Sequence, residues 1–84
     1  MDKLKTRDIY LATYLKASGI PLESFERRHG QTFFIFQASE KADKLITKYI
    51  QDKATVNINV FRHEFKDLKN LTSGDFPVPK SMIE

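Results

Sequence analysis

The fold of this chain is decided by residues 22–37, which read LESFERRHGQTFFIFQ. Residues 31–37 are rich in the aromatic and β-branched residues that favour strands, and the run is too short for a typical helix. His29 and Gly30 separate this run from residues 22–28, and a glycine there permits the positive φ of a tight turn. The sequence therefore predicts a β-hairpin with strands at 22–28 and 31–37.

A helix is predicted before the hairpin, over residues 7–17. Thr6 is a suitable N-cap because its hydroxyl can accept a hydrogen bond from a free backbone N–H. Gly19 stands where a left-handed residue ends a helix, and Pro21 prevents any continuation. The helix is apolar nearly all round, so we expect it to be buried on more than one side.

Two further helices are predicted after the hairpin. Ser39 is the N-cap of the second helix, whose apolar residues recur at helical spacing as far as Ile50. Asn57 is the N-cap of the third helix, which runs to residue 71, and Val56 and Phe61 are spaced as a hydrophobic staple across its start. Residues 54–56 are predicted as a short third strand.

These elements predict one small α+β domain over residues 1–71, in the order α-β-β-α-β-α. Its three-stranded, mainly antiparallel sheet must be packed by helices, because three short strands are not stable alone. Residues 72–84 are predicted as an extended or flexible tail, since Pro77 and Pro79 oppose regular structure. Around Phe76 this tail is a disordered end, an arm packed on the domain or a docking peptide.

The composition excludes several classes of protein. The 84 residues contain no cysteine, which removes disulfides, thiolate metal sites and cysteine nucleophiles together. No apolar run reaches the length of a signal peptide or a membrane span, so we predict a cytoplasmic location without membrane contact. The net charge of +3 is mild and is weak evidence for a nucleic-acid ligand.

No catalytic constellation is recognisable in the sequence. His29 falls in the hairpin turn, and His63 has no second histidine at a metal-binding spacing. The three glycines stand singly at positions 19, 30 and 74, so no glycine-rich loop can cradle phosphates. We therefore predict a protein without catalytic residues, metal, cofactor or small-molecule substrate.

Basic residues form stripes on the predicted second and third helices, and a further pair lies at the hairpin turn. At about 100° per residue, each stripe occupies one side of its helix. The stripes snorkel along the edge of an apolar face, contact nucleic acid, or contact an acidic protein partner. The residues concerned are Arg27, Arg28, Lys41, Lys44, Lys48, Arg62, Lys66 and Lys69.

The phenylalanine-rich hairpin is the other candidate surface. Phe33, Phe34 and Phe36 crowd one strand, so at least one of its faces is core, and the excess indicates burial on both faces or a dimer contact. Together with Phe76 in the tail, these residues are the predicted protein interface. Arg7 and Asp8 form a polar pair that either serves the helix dipole together with a local salt bridge, or anchors the helix start to the sheet or to a partner.

Several segments of the chain match a known sequence pattern. They are Thr6–Ala12, Leu15, Gly19, Phe34–Phe36, Val56–Asn57, Phe61 and Asp67–Lys69. With them, the chain resembles, over roughly residues 6–71, an uncharacterised small-domain family of bacteria, archaea and phages that is known as a domain of unknown function. Ile58 departs from the proline of that pattern, which loosens the assignment of the cap. The resemblance implies a fold unit and a mobile-element context, and it implies no activity.

The leading hypothesis is a non-catalytic interaction module, encoded by a phage or another mobile element, that binds a protein partner or forms a homodimer. The alternative is a small nucleic-acid-binding accessory protein that uses the basic stripes. The hairpin is the favoured surface, because no recognition motif for nucleic acid accompanies the basic residues.

Overall fold

Strand β3 (Gln31–Gln37) is the centre of the sheet in the computed structural model, which describes residues 2–71. It pairs antiparallel with β1 (Lys3–Thr6) on one side and with β2 (Leu22–Arg28) on the other. The helices are α1 (Ile9–Ala17), α2 (Glu40–Ile50) and α3 (Ile58–Leu71). The predicted α+β class, the hairpin and the three-stranded antiparallel sheet are therefore confirmed.

The third strand lies at a different place from the one predicted, so the element order is β-α-β-β-α-α rather than α-β-β-α-β-α. Residues 54–56 form neither helix nor strand and belong to the connection between α2 and α3. The strand is β1, where Leu4 and Thr6 are half-buried while Lys3 and Lys5 are exposed. Its short length and its lysines are typical of an edge strand. For the same reason it contains no run of apolar residues that would predict a strand from the sequence.

Strands β1 and β2 are both antiparallel to β3, so they run parallel to each other. Helix α1 connects them, and β3 is inserted between them as the middle strand. This arrangement is a split β-α-β unit. Helix α1 then packs against both α2 and α3, which places it at the centre of the helical side of the domain.

Helix α1 begins two residues later than predicted, and its N-cap is Asp8 rather than Thr6. One carboxylate oxygen of Asp8 accepts hydrogen bonds from the backbone N–H groups of Tyr10 (2.9 Å) and Leu11 (3.2 Å). The Thr6 hydroxyl instead accepts from the backbone N–H of Asp8 at 3.1 Å. A carboxylate is also favoured over a hydroxyl at a helix start by the helix dipole.

The predicted ends of the other elements are confirmed. Gly19 has φ 97°, the left-handed conformation expected at the end of α1. The Ser39 hydroxyl caps α2 by accepting from the backbone N–H of Ala42 at 3.0 Å. In the hairpin turn His29 (φ 51°) and Gly30 (φ 77°) are both left-handed, as a two-residue type I′ turn requires.

Asn57 caps α3 as predicted. Its side-chain oxygen accepts hydrogen bonds from the backbone N–H groups of Asn59 (2.9 Å) and Val60 (3.2 Å). This one oxygen therefore satisfies two of the backbone N–H groups that are left free at a helix start.

The hydrophobic core lies between one face of the sheet and the helices. Phe34 and Phe36 point into it from β3, and both are fully buried. Helix α3 contributes Leu68, which is fully buried as well. The other buried members of the core are Ile9, Ala12, Leu15 and Ile20. Because four of the seven lie in or next to α1, the prediction of a first helix buried on several sides is confirmed.

The start of α1 is tied to two other elements by polar side chains. The Tyr49 hydroxyl donates a 2.7 Å hydrogen bond to the second carboxylate oxygen of Asp8, which fastens the end of α2 to the start of α1. The Arg7 guanidinium donates to the side-chain oxygen of Gln31 in β3 at 2.9 Å. The contact of Arg7 therefore supports the anchor to the sheet, whereas Asp8 caps α1, as the helix-dipole interpretation expects, and is also bonded to α2.

The predicted tail at 72–84, with its three alternatives for the segment around Phe76, lies outside the described residues. Within residues 2–71, no helix is long and apolar enough to span a membrane.

Candidate interaction surface

The predicted protein interface on β3 requires a correction, because Phe34 and Phe36 belong to the core. Alternate residues of a strand point to opposite faces. Phe34 and Phe36 face the helices with no exposed surface, so neither can contact a partner in the folded domain. Phe33 lies on the other face of the sheet and is half-buried. Phe76, the fourth predicted residue, is outside the described residues.

The outer face of the sheet is covered by charged side chains rather than left apolar. The Lys5 ammonium of β1 donates a 2.8 Å hydrogen bond to the Glu26 carboxylate of β2, which spans the central strand between them. The same ammonium lies 6.0 Å from the centre of the Phe33 ring. Lys3 pairs in the same way with Glu23. Phe33 is half-buried beside Lys5, and charged pairs cross this face, so it does not present an open apolar patch.

The bridge between Lys5 and Glu26 yields a prediction about titration. The hydrogen bond from Lys5 holds the pKa of the Glu26 carboxyl below its ordinary value of 4.5. Lys5→Met should raise this pKa towards the ordinary value, measured by NMR titration of the side-chain carboxyl carbon. A lowered folded-state pKa contributes stability above the unfolded-state pKa, and that contribution is lost as the pH falls through the folded-state pKa.

The matched control for this titration is Lys44→Met. It removes an equivalent lysine beside Glu40, at an N–O distance of 3.8 Å, on a different element. An equal pKa change of Glu26 in both variants would show that the bridge across the sheet does not cause the shift.

The predicted basic residues are distributed over three elements. Arg27 and Arg28 are neighbours in β2, and their side chains therefore point to opposite faces of the sheet. Arg28 approaches Glu26 at 3.8 Å, on the outer face. The stripe of Lys41, Lys44 and Lys48 lies on α2, and that of Arg62, Lys66 and Lys69 lies on α3. Both helices pack against α1.

The stripe on α2 has local roles in the fold. The Lys41 ammonium lies 3.3 Å from the position that a Cβ on Gly19 would occupy, which places a positive charge at the end of α1. A cation there is favoured by the helix dipole. Lys44 faces Glu40 one turn earlier in the same helix. These contacts agree with the interpretation in which basic side chains serve the domain's own helices.

The exposed apolar side chains are concentrated in a different part of the domain, between the end of α2 and the start of α3. Among residues 2–71, seven large apolar side chains are exposed, and four of them fall within residues 50–60. These four are Ile50 (74 % exposed), Ile58 (65 %), Val60 (42 %) and Val56 (36 %). Grouped exposed apolar residues are typical of a binding surface, whereas single ones are ordinary. At 100° per residue, Ile58 and Val60 lie about 200° apart on α3. Ile58 is therefore on the side of Phe61 and Phe65, and Val60 is on the side of Asp67.

Sequence reasoning missed this segment. It assigned Val56 to a strand and to a staple, and it noted Ile58 only as a departure from a family pattern. The available signal was the alternation of apolar and polar residues from Val56 to Val60. Because Asn57 caps α3, these residues form an exposed helix start rather than a strand.

An aromatic cluster of Tyr10, Phe61 and Phe65 continues this surface along α3. The ring centres of Tyr10 and Phe65 are 5.7 Å apart at an interplanar angle of 12°. Those of Phe61 and Phe65 are 6.2 Å apart at 14°. Tyr10 is 54 % exposed, and the two phenylalanines are half-buried. The cluster thus joins α1 to α3 and keeps part of its surface open to solvent.

Charges of opposite sign lie on opposite sides of α3. Arg62, Lys66 and Lys69 fall within an arc of about 60° beside the aromatic cluster, and the Lys69 ammonium lies 5.6 Å from the centre of the Phe65 ring. Glu64 and Asp67 lie on the other side. Glu64 pairs with Lys16 of α1 at 3.1 Å, and Asp67 lies 3.5 Å from His63. The acidic side is therefore already occupied by contacts within the domain.

The described part of the chain contains no group of three His, Asp or Glu side chains that could hold a metal ion. The chemistry this surface offers consists of apolar contact, aromatic contact and positive charge.

Comparison with protein-family models matches residues 1–74 to the family described as a domain of unknown function, DUF5659. The predicted resemblance to an uncharacterised small-domain family is thereby confirmed. No curated protein and no solved structure matches the chain significantly.

Proposed function

We propose that this chain, which belongs to the family of the domain of unknown function DUF5659, is a non-catalytic protein-binding module. The observation that carries the proposal is the concentration of exposed Ile50, Val56, Ile58 and Val60 between the end of α2 and the start of α3. Aliphatic side chains exposed to water are hydrated unfavourably. A protein partner that covers them removes their apolar surface from water, which favours binding.

The proposed contact surface differs from the hairpin, which was the surface favoured by the sequence. Phe34 and Phe36 are used in the core, and Phe33 is covered by Lys5. The segment from residue 50 to residue 60 has no such cover among the described residues, and it is continuous in the chain with the aromatic cluster of α3. A phage or mobile-element origin and a cytoplasmic location stay predictions.

The proposal is tested by site-specific photo-crosslinking in a lysate of the native host. A p-benzoylphenylalanine at position 58 should give a discrete cross-linked adduct, because Ile58 lies in the proposed surface. The same group at position 44 is the matched control, since Lys44 is an exposed helix residue with a 74 % exposed side chain outside that surface. Light scattering at high concentration tests self-association in parallel.

A self-associating chain would show a dimer mass and a cross-link to itself from position 58. A partner protein would appear as a heterologous adduct from position 58 but not from position 44. Adducts of equal yield from both positions, or a clean monomer without an adduct, would contradict the proposal.

A further inference from the structure

We infer that the partner is an acidic amphipathic protein segment, and that it binds along a strip of α3. This inference rests on the proposed function and specifies the chemistry of the ligand. The α3 strip consists of Ile58, Phe61, Arg62, Phe65, Lys66 and Lys69.

The strip is continuous on the helix surface. At 100° per residue, its three apolar side chains cover an arc of about 60°, and its three basic side chains cover the adjoining arc of about 60°. No acidic residue falls within these arcs, since Glu64 and Asp67 lie on the opposite side of α3. A partner that lies along the strip therefore meets apolar groups on one side and only positive charge on the other.

The strip has the exposure that binding requires. Ile58 is 65 % exposed, and Arg62 and Lys66 are exposed as well. Within residues 2–71, neither Arg62 nor Lys66 has an ion-pair partner, whereas Lys3, Lys5 and Lys16 each pair with a glutamate. Carboxylates on a partner would supply opposite charges for Arg62 and Lys66.

A second copy of this chain fits the strip poorly. A symmetric contact between two copies contains the same surface twice, so it would bring six basic residues and no acidic residue of the strip into one interface. Like charges set against each other oppose association. A partner of opposite charge avoids this repulsion.

A nucleic acid is also disfavoured by the geometry of the aromatic cluster. Single strands bind by stacking their bases on open aromatic faces. Phe65 already has Tyr10 and Phe61 stacked against it, and the Lys69 ammonium lies above its ring. Little of the ring face is left for a base, while the aliphatic Ile58 suits a protein side chain.

The test uses the full chain and three synthetic amphipathic helical peptides with the same leucine positions. The first carries glutamate at its polar positions, the second glutamine and the third lysine. Fluorescence anisotropy at low salt gives the affinities, and amide chemical-shift changes locate the contact. We expect the glutamate peptide to bind about tenfold or more tighter than the glutamine peptide, as expected for several exposed ion pairs.

Charge reversal locates the effect on α3. The double variant R62E/K66E should abolish the preference for the glutamate peptide. The matched control K44E/K48E makes the same charge change on α2 and should leave the preference intact. Both variants change exposed side chains, and circular dichroism verifies that they fold.

Each outcome decides between the two proposals. Equal binding of the glutamate and glutamine peptides at α3 would overturn the acidic partner and leave the protein-binding module standing. No binding of any peptide, or shifts elsewhere on the domain, would count against both. Tight binding of a thymidine oligonucleotide that competes at α3 would replace the protein ligand with a single strand.

Discussion

Replacing Phe34 with alanine should lower the free energy of unfolding by about 3–5 kcal/mol, the cost of emptying a fully buried phenylalanine site. Phe34 lies in the central strand with no exposed surface and pairs with Thr6 on one side and Phe25 on the other. Domains are stable by about 5–15 kcal/mol, so a large part of the stability would be lost. Urea unfolding followed by circular dichroism measures the loss.

Phe33→Ala is the matched control, because it removes the same side chain from the adjacent position. Phe33 faces the outer side of the sheet and is half-buried beneath Lys5, so we expect a loss of about 1 kcal/mol. Equal losses at the two positions would mean that both faces of the sheet are core. That result would contradict the one-sided packing of the helices.

Replacing Asp8 with alanine should cost about 1–3 kcal/mol, because one carboxylate performs two tasks. One oxygen caps α1, and the other accepts the hydrogen bond from Tyr49 in α2. Tyr49→Phe removes the second task and keeps the first, so it should cost about 0.5–1.5 kcal/mol. A double-mutant cycle between the two positions measures their coupling.

The same contact makes stability depend on pH at high values. Burial and the hydrogen bond to Asp8 raise the pKa of Tyr49 to about 12, above its ordinary value of 10.0. The folded chain therefore holds this proton more tightly than the unfolded chain does. The stabilisation is fully present below pH 10.0 and is lost as the pH rises from there through about 12.

Tyr49→Phe should remove this part of the pH dependence, whereas Tyr10→Phe should keep most of it. The measurement is the difference in urea midpoint between each variant and the parent chain across this pH range. An unchanged dependence in Tyr49→Phe would show that Tyr49 is not its source.

Much of the fold could be predicted because local chemistry determines it. The turn at His29 and Gly30, the helix end at Gly19 and the caps at Ser39 and Asn57 each follow from one or two residues. Strand β1 could not be predicted in this way. Residues 3–6 become a strand only because β3 offers an edge to pair with, and that pairing is a tertiary contact.

The candidate site was harder to predict than the fold for the same reason. Residues 33–36 contain three phenylalanines, and only the face on which the helices pack decides which of them are buried. Tyr10 and Phe65 are separated by most of the chain and meet only because α1 packs against α3. Basic residues at helical spacing were visible in the sequence, but the acidic residues paired within the domain were not.

The position of β1 in the sheet also constrains how the chain folds during synthesis. Residues 3–6 leave the ribosome before residues 34–37, which are their hydrogen-bond partners. At a translation rate of about 5–20 residues per second, residues 34–37 are synthesised roughly 2–6 s after residues 3–6. Until then, the nascent chain has an unpaired strand and an apolar α1 without its sheet. Slower translation through residues 7–37 should lengthen that exposure and raise the demand for chaperones.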